Sequence, residues 1–264
     1  MNPVKTAEIS NLEAIPSPSL LVFPDRVESN VDRMLDMVGG DVLRLRPHVK
    51  THKMAEVVRL QVAKGITQFK CSTIAEAEMT AISGGSDVLF AHQPVGPNLS
   101  RFLQLQDRFS EVSFSATVDS EEVVEAFERT GQSARLFVDL DCGMHRTGIE
   151  PGEGALALCQ RIAFSDNLDF VGLHAYDGHL HQPDLIDRTE AHAVAIESWA
   201  GLLQSLDSEN LAPSTIVVGG SPTFGLFAQM ENWQCSPGTT LFWDAGYGHA
   251  FPDLEFECAA MLLT

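Results

Sequence analysis

From residue 42 onward, short apolar runs alternate with amphipathic stretches, and this alternation limits the possible folds more than any other feature of the chain. Strand candidates are "VLRLRPHVK" (42–50), "QFKCST" (68–73), "DVLFAH" (87–92), "VSFSATV" (112–118), "ARLFVDLD" (134–141), "LDFVGLHAY" (168–176), "STIVVGG" (214–220) and "GTTLFWD" (238–244). Helical patterns lie between them at 54–64, 75–82, 97–108, 120–130, 152–164 and 184–206, with a short one after 223. Strands alternating with helices imply a parallel sheet with helical crossovers. Eight such units in about 210 residues fit a (β/α)8 barrel, typically about 250 residues long. An open doubly wound sheet that bound a nucleotide would carry a glycine-rich loop after its first strand. Here that strand runs into "HVKTHK", which has no glycine. Before the barrel, "SLLVF" (19–23) reads as a strand followed by a helical segment, and after it "LEFECAAMLLT" reads as another. A strand needs a partner, so the terminal run either pairs with "SLLVF" or belongs to a following domain.

Composition narrows the function. With 17 basic and 36 acidic residues in 264, the formal charge is −19. A nucleic-acid binder would show a basic face, so none is expected. No apolar run reaches the roughly 18 residues of a membrane span, and the first residues lack the apolar core of a signal peptide. The five cysteines contain no CxxC pair and are expected as reduced thiols of a cytoplasmic protein.

Against this acidic background, "RLRPHVKTHK" (44–53) holds two arginines, two histidines and two lysines. Side chains alternate along a strand. Leu43, Leu45, Pro47 and Val49 then meet the helices, while Arg44, Arg46, His48 and Lys50 point into the barrel. Buried cations need partners, and Asp139 and Asp141, on one face of "ARLFVDLD", are the expected ones for Arg44 and Arg46. Lys50 lies at the strand's C-terminal end, where barrel active sites form. Thr51 is expected to cap the next helix, leaving Lys53 in the first helical turn as a solvated lysine. An amine among cations has a lowered pKa, and a neutral lysine is a nucleophile that can form a Schiff base with an aldehyde.

The other strand ends add to this mouth. "DCGMHRTG" supplies Arg146, and "GLHAYDGHLH" puts Gly172, His174 and Tyr176 on one face with His179 and His181 in the loop. "GGSPTFG" opens a short helix after the seventh strand, a frequent phosphate site in barrels. Gly219 and Gly220 allow close backbone approach there, and Ser221 and Thr223 add hydroxyls. A phosphate site facing a nucleophilic lysine suggests pyridoxal phosphate, which stabilises a carbanion on a bound amino acid. The three histidines also admit a metal-dependent amidohydrolase, although such barrels carry an HxH on the first strand and this one has His48-Val49-Lys50. A binding protein without catalysis is the remaining alternative.

"RPHVKTHK", "DCGMHRTG", "GLHAYDGH", "GGSPTFG" and "SPGTTLFWD" together resemble, in this order, the D-threonine aldolase and D-serine dehydratase family. The early "SPSLLVFPDRVESNV" is similar to its N-terminal segment. The resemblance implies fold type III pyridoxal phosphate enzymes: a TIM barrel of the alanine racemase N-terminal type over 26–250. Residues 1–25 would pair with a C-terminal β-domain, of which 251–264 is the first strand. It implies Lys50 as the Schiff-base lysine, Arg146 at the cofactor's phenolic oxygen, and Tyr176 and His179 beside the reacting centre. Gly219, Gly220, Ser221, Thr223, Gly238 and Thr239 would hold the phosphate, with His48 and His174 also in the cofactor site. A divalent metal (Mn, Mg or Zn) is expected in the complete family fold, held in the β-domain by a histidine and, two positions on, a cysteine or aspartate. No such pair follows the barrel before Thr264, so the chain as given is expected to hold no metal and to lack activity that needs one.

The reading is thus a lyase for D-amino acids with a β-hydroxyl, expected as a homodimer. Retro-aldol cleavage to glycine and an aldehyde is favoured. Dehydration to pyruvate and ammonia and amino-acid racemisation on the same fold are the alternatives, because shared cofactors and folds host several chemistries.

Overall fold

The computed structural model describes Ile9 and residues 11–264; most of the first ten residues of the 1–25 segment lie outside the described residues. Seven parallel strands follow one another in sequence order: β2 (Gln68–Cys71), β3 (Asp87–Phe90), β4 (Ser113–Val118), β5 (Ala134–Leu140), β6 (Leu168–Ala175), β7 (Thr215–Val218) and β8 (Gln234–Cys235). Between them run α3 (Ile74–Ile82), α4 (Pro97–Arg108), α5 (Glu121–Glu128), α6 (Glu153–Ala163), α7 (Leu185–Ser208) and α8 (Phe224–Phe227). The eighth stave is the segment 45–48, which is not a regular strand. Leu45 bridges Cys235 and His48 bridges Lys70, both in parallel sense. Arg46 N–H donates to Cys235 O at 2.9 Å, His48 N–H to Pro237 O at 2.8 Å, and Lys70 N–H to Pro47 O at 2.9 Å. These bonds close the ring into a barrel.

Two expectations about strands are corrected here. Residues 42–50 do not form one strand, because 3-10 turns occupy Val42–Arg44 and Val49–Thr51. Pro47 lacks a backbone N–H, so it cannot serve as a ladder donor in a regular strand. The last strand is Gln234–Cys235, earlier than "GTTLFWD", which instead makes a 3-10 turn (Thr239–Leu241) and leads into α9 (Ala245–Ala250). Strict alternation therefore fails at Arg44 and Leu43. Leu43 is 61% exposed. Among the described residues Arg44 makes no ion pair with an acid: it donates to the carbonyls of Phe227, Ala228 and Met230 at and just beyond the end of α8.

The strands' outer faces carry Phe69, Val88, Phe114, Leu136, Leu173 and Val218, part of the main core that also takes in the helices. Leu89, Phe137, Val171 and Val217 form a separate small cluster that fills the lumen. A register shift between Leu136 and Phe137 leaves Val171 as an extra residue in β6. Gly172 follows it, where a Cβ would stand 1.8 Å from Thr215 O. The two backbones meet too closely there for any side chain.

Outside the barrel, β1 (Ser19–Val22) pairs antiparallel with β9 (Ala260–Leu263), flanked by α1 (Pro24–Met37). The terminal strand thus has "SLLVF" as its partner. Asn30, buried on α1, donates to the carbonyls of Leu241 and Glu257 and accepts from Glu257 N–H. All five cysteines are free thiols. Among the described residues no helix is long and apolar enough to cross a membrane.

At the N-terminal end of the lumen Arg46, 2% exposed, is held by Asp87 at 2.6 Å, Gln234 at 2.8 Å and Gln68 at 3.1 Å. Arg46 is acid-paired as expected, but with Asp87 rather than Asp139 or Asp141. Leaving a buried cation without its counter-ion is costly, whereas removing both charges is much less so. Asp87→Ala should therefore lower stability by about 3 kcal/mol in urea unfolding, and adding Arg46→Met should recover part of that loss.

Candidate active site

The closing segment delivers Lys50 to the C-terminal mouth. Lys50 N–H donates to His48 Nδ1 at 3.2 Å, and His48 Nε2 lies 3.0 Å from Ser72 Oγ at the end of β2. With Nδ1 accepting, the ring proton belongs on Nε2, where it reaches the serine. Burial holds His48 neutral, well below the usual histidine range, and the charges of Lys70, Lys50, His174 and His52 push the same way. His48 thus acts as a neutral brace for the Lys50 backbone. Thr51 does not cap the next helix, α2 (Ala55–Ala63), whose N-cap is Met54. His52 Nδ1 instead accepts from Met54 N–H at 3.1 Å. Lys53 has left-handed backbone with φ 50° and lies on the surface, 3.6 Å from Glu76.

Three cations converge on one aromatic ring. Lys50 Nζ and Arg146 Cζ each stand 5.0 Å from the Tyr176 ring centroid, and Lys70 Nζ stands at 5.6 Å. Such distances are within the attraction of a cation to a ring face. Among the described residues no carboxylate makes an ion pair with Lys50 or Arg146. Partial burial lowers the Lys50 pKa, the Arg146 charge lowers it further, and Glu76 opposes both. Burial raises the Tyr176 phenol, which stays protonated.

Lys70 was not singled out by the sequence reading. It is 2% exposed, and its amine lies 3.3 Å from His174 Nε2, while His174 Nδ1 lies 2.6 Å from Asp139 Oδ1. Asp139 can only accept, so Nδ1 carries the ring proton and Nε2 accepts from Lys70. Burial brings Lys70 to about 7; Lys50 and Arg46 add to the lowering, against Asp139 and Asp177. His174 is likewise lowered, by burial and then by the Lys70 charge. Asp177 was also missed. Burial lifts its carboxyl to about 6, partly offset by hydrogen bonds from Thr223 and Gly220. The signal for Lys70 was available: in "QFKC", Phe69 and Cys71 face the helices, so alternation turns the lysine into the lumen.

The loops after β7 and β8 lie side by side. The N–H groups of Gly238 and Thr239 converge on Ser221 Oγ at 3.2 and 2.9 Å. Gly219 has φ 71°, and a Cβ there would strike the Phe227 ring at 2.6 Å; only glycine satisfies both constraints. Thr223 turns inward, fully buried, and its Oγ1 accepts from Gly220 N–H at 3.4 Å. The six residues expected to hold a phosphate thus lie in two adjoining loops, with Thr223 serving the loop from behind. The Gly238 and Thr239 N–H groups donate here to a hydroxyl, and their convergence on one point is the arrangement by which backbone N–H groups also hold an anion. Together with the Arg146 cation and the Lys50 amine, this donor set fits a phosphorylated aldehyde.

His179 sits half-buried at the rim, where a Cβ on Gly143 would meet its Nε2 at 3.0 Å. Burial lowers its pKa, with Asp141 opposing and the charges of His145 and His181 assisting. Asp141 accepts from the N–H groups of Gly143 and His145 and pairs with the His145 ring at 2.9 Å. The histidines proposed for a metal hydrolase do not converge, since His174 is committed to Asp139 and Lys70. Among the described residues no three His, Cys, Asp or Glu side chains are grouped as metal ligands.

Comparison with known proteins identifies the family and the fold. The chain is 29% identical over 269 residues to a 3-hydroxy-D-aspartate aldolase of Paracoccus denitrificans (strain Pd 1222), covering 95% of this chain and 68% of that one. It is also 29% identical over 241 residues to a D-threo-3-hydroxyaspartate dehydratase of Delftia sp. (strain HT23), covering 88% and 63%. The crystal structure of D-threonine aldolase from Filomicrobium marinum superposes with a TM-score of 0.84 at 29% identity, covering 94% of this chain and 68% of that one. The chain spans about two thirds of the length of these relatives. The alanine racemase N-terminal domain family matches residues 22–245, and the chain belongs to that family.

Proposed function

We propose that this chain is the cofactor-binding barrel of a pyridoxal phosphate-dependent lyase for D-amino acids with a β-hydroxyl, with aldol cleavage its favoured reaction. Members of the family use this cofactor. The observation that carries the reading is the convergence of Lys50 and Arg146, neither paired with an acid, on the Tyr176 ring beside two anion-ready loops. The relatives bearing aldolase and dehydratase names point to the same substrate type.

Each residue then has a definable task. Lys50 is placed to offer its amine to the cofactor's aldehyde, and partial burial and the Arg146 charge both favour loss of its proton, against Glu76. Arg146, a permanent cation with a planar fork of donors, suits the cofactor's anionic oxygen. Tyr176 supplies a flat apolar wall and a protonated phenol at the wall's edge. When bound, the cofactor supplies the electron sink for the negative charge that bond cleavage leaves on the substrate's α-carbon. His179 is neutral at pH 7, since burial lowers its pKa, and can accept the β-hydroxyl proton that leaves in aldol cleavage. Dehydration is the second reading, favoured by the dehydratase among the relatives. It needs a base for the α-proton, and Lys50 is the amine at hand. The reading carries with it a homodimer, a cytoplasmic setting and the divalent metal (Mn, Mg or Zn) of the complete family fold.

The protein incubated with pyridoxal phosphate and reduced with borohydride should carry a pyridoxyl group on Lys50. A label on Lys53 by peptide mass spectrometry, or none, would sink the assignment. With the longest product of the gene and an added divalent metal, glycine and acetaldehyde released from D-threonine identify the aldolase, pyruvate and ammonia from D-serine the dehydratase, and products of neither kind overturn the lyase reading. Arg146→Gln removes a charge that lowers the Lys50 pKa. The amine then stays protonated to higher pH, so the pH profile of cofactor capture should move in the alkaline direction. An unmoved profile would show that Arg146 does not act on Lys50.

A further inference from the structure

The mechanism above uses Lys50 and Arg146 but leaves the third cation on the Tyr176 ring without a task. We propose that Lys70 is a further ligand of the cofactor site, acting from the lumen beneath Tyr176, and that seating the phosphorylated cofactor is coupled to proton uptake by its amine. This rests on the pyridoxal phosphate reading and adds to it a residue outside the motifs of the mouth.

Geometry carries the argument. Lys70 is almost wholly buried, yet its one direct polar partner among the described residues is a neutral nitrogen, His174 Nε2 at 3.3 Å. That nitrogen is fixed as an acceptor, because Asp139 takes the Nδ1 proton at 2.6 Å. The charged and titratable groups around the amine come from every element packed on it. The closing segment brings Lys50, His48 and Arg46; β5 brings Asp139; β6 and its following loop bring His174, Tyr176 and Asp177. Neither carboxylate pairs with the amine directly, and the cations oppose them. A buried lysine usually has a carboxylate in contact, because an unpaired buried charge is costly. Here the contact is left to something else.

That something is anionic by the logic of the site. Lys70 shares its ring with Lys50 and Arg146, the two cations that face the proposed cofactor. Before the anion arrives, the amine is close to half protonated at neutral pH. An opposite charge within about 4–6 Å favours the charged form by roughly 1–3 pKa units. The amine would therefore take up a proton as the anion settles. Linkage fixes the sign: a ligand whose binding takes up protons binds more tightly as pH falls.

The test is calorimetric binding of pyridoxal phosphate to the purified protein between pH 7 and pH 9, in buffers of different ionisation enthalpy. Lys70→Met and Lys70→Gln are measured alongside. Neither variant has a titrating amine at position 70, and the glutamine keeps a donor toward His174. The wild type should take up more protons than either variant at pH 8, by up to about one per chain. Its affinity should rise by up to about tenfold more per pH unit than theirs as pH falls. Titrations of the cofactor's own groups are common to all three proteins and cancel in the difference, while the Lys50 titration, which the Lys70 charge influences, is followed separately by borohydride trapping over the same pH range. Equal proton uptake in wild type and variants overturns the role of Lys70 while leaving the cofactor reading intact. Failure of the wild type to bind the cofactor at all overturns both. A loss of affinity in the variants with an unchanged pH slope reduces Lys70 to a packing residue and overturns the coupling.

Discussion

The closure of the ring through residues 45–48 is the constraint on which the site depends. Seven strands pair in sequence order, but the sheet becomes a barrel only because Arg46 and His48 donate to the β8 side while Pro47 O accepts from Lys70 on β2. Those few backbone bonds set the height of everything that follows. They place His48 where its ring spans the Lys50 N–H and Ser72 Oγ. They also put Lys50, just past the last bridge, at the open end. Proline in the middle of this stave is consistent with its job. It removes one donor where the chain has no ladder to continue, and it stiffens the approach to the turn that carries the lysine.

The second organising fact is how the chain manages cations inside an acidic protein. The cations along the lumen, from the buried Arg46 to the exposed Lys50 and Arg146 at the mouth, are handled in different ways. Arg46 is neutralised by Asp87 and braced by two glutamines at the closed end. Arg44 is spent on helix carbonyls. Lys50 and Arg146 are left without acids at the open end, and Lys70 has only a neutral histidine in contact. Positive charge is thus neutralised at the bottom of the lumen and left uncompensated toward the top. The chain's formal net charge of −19 is screened over about 8 Å at physiological ionic strength, so distant surface acids weigh less on the mouth than the cations within it. The gradient gives an anion one direction in which to bind.

Much of this was legible in the sequence, for identifiable reasons. The helix from Pro97 to Arg108 falls on the predicted 97–108 because proline at its start and an apolar face leave little choice. His174 and Tyr176 share a face as alternation requires, since both follow the irregularity at Val171. Alternation failed where the chain is not a strand. Arg44 lies in a 3-10 turn, and "GTTLFWD" was too apolar to be recognised as a turn leading into a helix. A rule with period two has nothing to say about such segments. The partners of Arg46 could not be read either, because Asp87 and Gln234 are remote in sequence and meet it only after closure.

Lys70 shows the opposite failure. Its orientation followed from the same alternation that singled out Lys50, yet a lone lysine in a short apolar strand reads as unremarkable without its neighbours. Only the closed barrel shows that β2 lies beside the closing segment, so that the two lysines are held over one ring. His174 then gains a meaning that its position in "GLHAY" does not convey. It is an oriented acceptor, fixed by Asp139 from the next strand and turned toward Lys70. The proposed catalytic lysine at the mouth and the buried Lys70, His174 and Asp139 beneath it are therefore electrostatically linked. Lys50 needs a neutral amine to act, and the Lys50 charge is the first influence after burial that keeps Lys70 from holding its own proton. When one of these amines is charged, it disfavours charge on the other.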